Sequence, residues 1–463
     1  MKDKKNSLLM IPLILLIPLI IGIAYQNPSQ LDGLIEEDPT SHPISIQGFL
    51  PTLHIQTMGD DLPFIERNLR IDSTLIFENM GEFSTVVPLT GQIRGRGNST
   101  WNMLPDKRPL RFHLDEPQRL FDEGVMATDW ILLADHGDGS LLRNYSALHL
   151  SRRLDGLDWT PQARSIHLYI NDEYMGVYLL TDERRAFPIT MLTAHPDPTI
   201  SDYFFEMEWR ANLDGEEGID FIRVNSHPDG IVGDSTAEAG FDRDYLYEII
   251  YPTGQALTDA HMNYLQEFLT EVGALMRVRD FEAINQYVDL ASLIDFYLVQ
   301  ELYKNIDVGF SSVFLQIRGQ GDNRRLYHGP VWDFDLTVGN ASWMGVENQT
   351  PFGGLYVAER HYWYWYLLQI PEFVSMAQVR WNEVFQPEAL ATIAHIETLA
   401  RTYEAEFERN FDRHAILGID RWPSPAHLNE IQTFSGHVAY LTDFLRTRIT
   451  HLNEIFNGYR PMW

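Results

Sequence analysis

Between residues 290 and 335 the chain runs through an order of elements that few folds can hold. A helix-length apolar segment, Leu290–Tyr303, leads into Lys304-Asn305-Ile306-Asp307 and the small residues Gly309, Ser311 and Ser312. Two alternating segments, 312–318 and 324–327, then flank the Gly-rich turn 319–323, which predicts a β-hairpin. Pro330-Val331-Trp332-Asp333-Phe334-Asp335 follows, so that Asp333 lies 26 residues after Asp307. Residues two positions apart share a side of an extended chain. Asp333 and Asp335 are therefore expected to face the same way and, because like charges repel, to share a hard divalent cation such as magnesium or manganese. A loop aspartate, a short hairpin and a second aspartate form the order of a phosphoryl-transfer site, in which the first orients a hydroxyl and the second holds metal. The competing structural reading gives Asp307 to an Asx-turn, and gives one of the later aspartates to a turn cap or to Arg324 or Arg325.

The rest of the chain narrows the class. Its 463 residues, 44% of them apolar, have room for two or three domains with sizeable cores. A net charge of −30 argues against nucleic acid or an anionic membrane surface as partner, since both demand clustered Lys and Arg. Cysteine is absent, which excludes a disulfide framework, a thiolate metal site and lipoprotein acylation. Residues 1–25 combine the basic start Met1–Lys5 with an uncharged run from Leu8 to Ala24, the pattern of a cleaved export signal or a retained membrane anchor. Residues 26–44, with Pro28, Pro39 and Pro43, read as a linker.

From about 50 to 135 the alternation is strand-like, as at 53–57, 73–77 and 110–114. A helix is expected over 141–154, a hairpin over 166–180 and a strand over 203–207. Residues 211–240, rich in Gly, Asp and Glu, read as a long surface loop. Helices follow over 259–278 and 290–303, and again around 387–410 and 427–456. The class is α+β, with a sheet-rich first half and a helical second half. The aromatic run Tyr362–Tyr366 reads as a packed helix, with a carbohydrate platform as the alternative.

A second constellation, Ile93-Arg94-Gly95-Arg96-Gly97-Asn98-Ser99-Thr100-Trp101 with Lys107-Arg108-Pro109-Leu110-Arg111-Phe112-His113-Leu114, is the densest basic patch in an acidic chain. Glycines let backbone amides approach phosphates, so the patch is a candidate triphosphate cradle. Arg111 and His113 share one strand face, and the competing structural reading pairs Arg111 with a core-edge acid such as Glu206 or Glu208.

Four pieces taken together resemble the CotH family, the spore-coat protein H kinases: Arg96–Trp101 with Lys107-Arg108-Pro109, Asp129–Ala134 with Leu142-Arg143-Asn144, Tyr174–Leu180, and Gly329–Asp335 with Gly339-Asn340. They fall in order from about residue 94 to 340. The resemblance implies a divergent, two-lobed protein-kinase-like fold over about 45–350, followed by a helical extension, 351–463. It implies a secreted or coat-associated enzyme that uses ATP with Mg2+ or Mn2+ to phosphorylate serine on coat or surface proteins. Position by position it makes Asp307 the catalytic aspartate, Asp333 the metal ligand and Asp335 a second acidic ligand. Arg96, Asn98, Lys107 and Arg111 are the candidates on the nucleotide side, with Lys107 or Arg111 substituting where the family often carries lysine and this chain has His113. Asp182, Glu183, Glu206 and Glu208 are candidate acidic partners of that base, and Lys304 either meets the transferred phosphate or ends its helix. Two other classes stay open: a pseudokinase serving as a surface scaffold or adhesin, and a metal-dependent glycosyltransferase using a sugar nucleotide.

Overall fold

Alternation of apolar and polar residues along the first strands dictates a sheet with one dry face, and the sheet closes on itself. The computed structural model describes residues 49–58, 66–212, 220–225, 244–309, 311–342 and 350–458. The expected export signal or anchor, 1–25, and the linker, 26–44, lie outside the described residues. Seven strands, β1 (Thr52–Thr57), β2 (Ile71–Glu78), β3 (Leu89–Gly95), β4 (Leu110–Gln118), β5 (Ala127–Leu133), β6 (Ala163–Ile170) and β7 (Glu173–Asp182), form a closed barrel in the order β1-β2-β3-β4-β5-β7-β6. Only β1 and β6 pair parallel; the other neighbours are antiparallel. Leu53, Leu75, Phe77, Ile93, Phe112, Trp130 and Leu180 fill the interior.

The outside of this barrel is divided. On β5 and β7 the outward residues Ile131, Leu133, Val177 and Leu179 are buried in a second, larger core. On β3 and β4 the outward residues are Gln92, Arg94, Arg111 and His113, and none of them is buried. Of these, Arg94 and Arg111 line the cleft described below.

The second core is laid on a five-stranded antiparallel sheet. It contains β8 (Tyr203–Met207), β9 (Phe221–Asn225), β10 (Asp244–Tyr251), β11 (Val313–Arg318) and β12 (Arg325–His328), in the order β12-β11-β8-β10-β9. The hairpin predicted after Asp307 is β11–β12. The expected surface loop over 211–240 is corrected by β9, whose Ile222 and Val224 are buried while Phe221, Arg223 and Asn225 are not. Its two-residue period is clear, but acidic and glycine-rich flanks hide a strand this short.

Helix Leu290–Tyr303 lies inside the second core, with every residue but Ala291 buried. Its charged residues are matched. Asp295 accepts from Arg380 at 2.7 and 2.6 Å and from the Gly156 amide at 2.9 Å. Glu301 pairs with Arg448 and accepts from the amides of Tyr356 and Val357 at 2.6 and 2.9 Å. A buried carboxylate persists only when such partners replace water. These contacts bind the helix to Pro371–Arg380 and to the long helix Phe434–Phe456. The run Tyr362–Leu367 is a helix with Tyr362, Trp363, Tyr364 and Tyr366 buried, which is the packing reading of that aromatic cluster. Among the described residues no helix is long and apolar enough to cross a membrane.

Candidate active site

A cleft of about 520 Å³ opens between the polar outside of β3 and β4 and the second sheet. Arg94, Arg96, Asn98 and Arg111 line one wall, and Asp307, Ser311, Ser312, Asp333 and Asp335 line the other. Glu183, Arg184 and Arg185, which follow β7, join them from the side, and Glu206, Glu208, Arg210 and Glu248 lie on or beside β8 and β10. Six of the seven residues singled out from the sequence as the site therefore meet in one cleft, and Lys107 does not.

The neighbours of Asp307 make the local turn without its carboxylate. The buried helix ends at Lys304, which adopts φ 49° and donates its backbone N–H to the carbonyls of Gln300 and Glu301. Lys304 Nζ turns away to the carbonyls of Thr350 and Phe352, at 2.8 and 2.5 Å, so it ends the helix and does not line the cleft. The Asx-type bond is made by Asn305, whose Oδ1 accepts the Asp307 amide at 3.0 Å, and the Asp307 carboxylate is left to face the cleft. With only 9% of the residue exposed, burial raises the Asp307 pKa to about 8; Asp333 adds to the shift and Arg210 opposes it.

Asp333 and Asp335 reach the cleft by a route the extended-chain expectation misses. Strand β12 stops at His328, and Asp333 adopts φ 68°, a left-handed conformation uncommon outside glycine. The two side chains thus share the cleft through a loop, because strand alternation has ended. Asp333 Oδ2 accepts the Ser312 hydroxyl at 2.9 Å. Asp335 is pushed well above the ordinary carboxylate range by burial, then by Asp333, Asp135 and Asp307.

The opposite wall is cationic. Arg96 makes no ion pair among the described residues; its guanidinium lies 5.9 Å from the Trp332 ring centroid, and Arg184 lies 5.4 Å from the same ring. Desolvation and the nearby Arg184 charge lower Arg96 to about 10, so it stays charged at neutral pH. Arg210 forms a bidentate pair with Glu208 at 2.8 and 2.7 Å, and Glu208 also accepts the Ser311 hydroxyl at 2.9 Å. Glu206 meets Arg185 at 3.0 Å and Arg184 at 3.6 Å. Arg111 is corrected: its carboxylate is Asp129, reached at 3.0 and 2.8 Å, with His113 Nδ1 3.1 Å from the same group. Asp129 is on the adjacent strand β5, whereas Glu206 is on β8 of the other sheet and Glu208 just beyond its end.

Asn98 lines the cleft and accepts from Arg67 at 3.2 Å. Gly97, at φ 95°, makes the turn between Arg96 and Asn98. Gly95 has a different reason: a Cβ there would fall 2.1 Å from the Trp101 ring. Lys107 is the clearest departure from expectation. It is buried, donates to the carbonyls of Ala134 and Val177 at 2.7 and 2.5 Å, and lies 4.8 Å from the centre of the Tyr178 ring. Burial lowers its pKa to about 7. The ammonium joins β7 to the end of β5 from beneath. Arg184, Arg185 and Arg210 have no place in the expected site. Arg184-Arg185, directly after Asp182-Glu183, was the only local charge pattern that could have marked them.

The CotH family, described as CotH kinase protein, matches residues 93–452. The chain belongs to the CotH kinase family. The matched region includes every residue named above for the cleft except Arg67. Comparison with curated proteins gives no match. The second sheet and the C-terminal helices, up to residue 452 of the last one, lie within the matched region.

The donor set bears on metal. Among the described residues no group of three or more His, Asp or Glu side chains is arranged to hold a metal ion by itself. Magnesium is commonly held by one or two carboxylates, with phosphate oxygens and water completing the octahedron. Asp333 and Asp335 fit an ion of that kind, one that completes its shell with a nucleotide.

Proposed function

We propose that the protein is an ATP- and divalent-metal-dependent kinase that phosphorylates Ser or Thr hydroxyls of exported, coat or surface proteins. In this reading the barrel and the second sheet with its helices act as the two lobes of a divergent protein-kinase-like fold. The observation that carries it is the meeting of Asp307 with Asp333 and Asp335 opposite an arginine wall, in a chain of the CotH kinase family. Export rests on the residue 1–25 pattern, which also leaves membrane anchoring as part of the proposal.

Asp307 orients the acceptor hydroxyl and takes its proton as the oxygen attacks the γ-phosphorus. The bond from that phosphorus to the β,γ-bridging oxygen breaks, and ADP leaves. Asp333 and Asp335 hold the divalent ion, which when bound neutralises charge on the phosphates. Arg96, with Arg184 and Arg210, supplies positive charge along the phosphate chain. Ser312 is the fifth residue after Asp307, the spacing at which protein kinases carry a metal-binding asparagine, and its hydroxyl fixes one oxygen of Asp333.

The full chain, incubated with labelled ATP, manganese and a serine-rich acceptor, is expected to transfer label, and Asp307→Asn and Asp333→Asn are each expected to abolish it. Transfer by the two variants equal to that of the parent would sink the proposal. A second reading, a scaffold that binds nucleotide without transfer, is favoured by one observation: the cations lining the cleft are all arginines, with no lysine among the described residues. Nucleotide-dependent thermal stabilisation without label transfer would decide for it. The sugar-nucleotide alternative finds no doubly wound parallel sheet among the described residues.

A further inference from the structure

Leu142-Arg143-Asn144 stands out in the sequence, yet none of these side chains lines the cleft. Asn144 is the second residue of helix Arg143–Ser151 and is 5% exposed. Its Oδ1 accepts the backbone N–H of Phe334 at 2.7 Å, across 190 residues of chain. Its Nδ2 donates to Asp135 Oδ1 at 2.8 Å. Phe334 is the residue between Asp333 and Asp335, so this one amide grips the loop midway between the two carboxylates.

The same loop is held at other points. Arg143 Nε donates to the Thr337 carbonyl at 3.1 Å. Asn340 Nδ2 donates to the Asp335 carbonyl at 2.8 Å and to the Gly137 carbonyl at 3.1 Å, and Ser424 donates to Asn340 Oδ1 at 3.0 Å. Val338 N–H reaches the Tyr303 carbonyl at 2.9 Å. Helix Arg143–Ser151 is itself set by Asp138, whose Oδ2 accepts the amides of Leu142 and Arg143 at 3.1 and 3.0 Å.

We propose that Asn144 is a positioning residue for the metal loop: by holding the Phe334 amide it sets the spacing of the Asp333 and Asp335 carboxylates, and with it their affinity for a divalent cation. The inference rests on the assignment of those two aspartates as metal ligands. Three facts support it. Asp333 adopts φ 68° and Val338 φ 51°, and backbone in such regions persists only where the surroundings over-determine it. Two neighbouring carboxylates repel, so a hard ion binds them well only if something other than the ion keeps them together. And residue 144 must accept from an N–H while donating to a carboxylate. An amide does both, alanine does neither, and a carboxylate there would face Asp135 with like charge.

Partners that orient metal ligands typically change metal affinity or activity by about 10–100-fold when removed. The test uses the full chain, with Mn2+ binding read by electron paramagnetic resonance in the presence of a non-hydrolysable ATP analogue, beside thermal stability and the KM for ATP at saturating Mn2+. Asn144→Ala is expected to weaken Mn2+ binding by about 10–100-fold while the KM for ATP moves by less than about twofold. The exchange Asn144→Asp with Asp135→Asn keeps an acceptor toward Phe334 and a hydrogen bond between the two side chains. It is expected to recover most of the Mn2+ affinity. If Asn144→Ala lowers the melting temperature but binds Mn2+ like the parent, the asparagine is only a structural clasp and the proposal falls. Should Asn144→Ala fail to fold, the exchanged pair decides: folding regained without Mn2+ affinity overturns the proposal. If the parent binds no Mn2+ even with nucleotide, the metal assignment fails and the inference fails with it. A parent that binds Mn2+ with an unaffected Asn144→Ala removes the inference alone.

Discussion

The wall carrying Asp307, Asp333 and Asp335 is backbone held from behind, whereas the wall facing it is made of arginine side chains standing on the outside of barrel strands or beside aromatic rings. On the first wall, positions come from Asn305, Ser312, a left-handed residue and a buried helix. On the second, Arg96 lies against Trp332, and Arg111 is tied to Asp129. A metal and a nucleophile demand placement within a fraction of an ångström, while a positive field tolerates several arrangements. Losses on the first wall should therefore be nearly complete, and losses on the second graded.

The largest expected effect tests the first wall. Asp333→Asn should cut transfer by about a thousandfold or more, since a catalytic metal supplies several kcal/mol. Its metal-free melting temperature should stay at or above that of the parent, because the change removes the charge that helps raise Asp307 and Asp335. A proportionate fall in stability would mean that the wall is structural. Next, Arg96→Ala should raise the KM for ATP by about tenfold or more, the scale of one hydrogen bond to a charged group, with kcat less affected. An unchanged KM would remove Arg96 from the nucleotide side.

Lys107 separates the two meanings of a basic residue in the same sequence cluster. Lys107→Met leaves two buried carbonyls without their donor and should lower stability by about 1–3 kcal/mol, read by denaturant unfolding, with the KM for ATP unchanged. A selective rise in KM would return Lys107 to the site. The first wall also carries a pH signature. The Asp307 carboxyl is raised to about 8 in the folded, metal-free protein, so its contribution to stability is fully present below the unfolded value and is lost as pH rises through the folded one. The metal-free melting temperature should fall between pH 6 and pH 9, values chosen to span the folded pKa of about 8, and Asp307→Asn should flatten that slope. A parent and variant with the same slope would place the titration elsewhere. The smallest effect belongs to Arg111→Ala, about twofold in the KM for ATP, because Asp129 already neutralises that charge.

What was legible follows the range of the interactions. The hairpin β11–β12, the helices over 259–278 and 290–303 and the alternation of β4 are written in neighbouring residues, and they appear where the sequence places them. Barrel closure is not, because the parallel pairing of Thr52–Ile55 with His167–Ile170 joins segments more than a hundred residues apart. Nor is the burial of Lys107, since a lysine in a basic run reads the same whether it meets phosphate or two carbonyls. Arg184 and Arg185 were missed because the Glu206 they meet lies on another strand, and Arg210 because its pairing with Glu208 two residues back reads as an ordinary local ion pair.

The sequence by itself determined the α+β class, the acidic surface, the family and the Asp307–hairpin–Asp333 order, all of which depend on local periodicity, composition and spacing. Only the tertiary structure decided which basic groups face those aspartates and what holds the aspartates together. A side chain's charge is encoded at its own position, but its partner is chosen by packing. The Phe334 amide that meets Asn144 is set by strands and helices far removed in sequence.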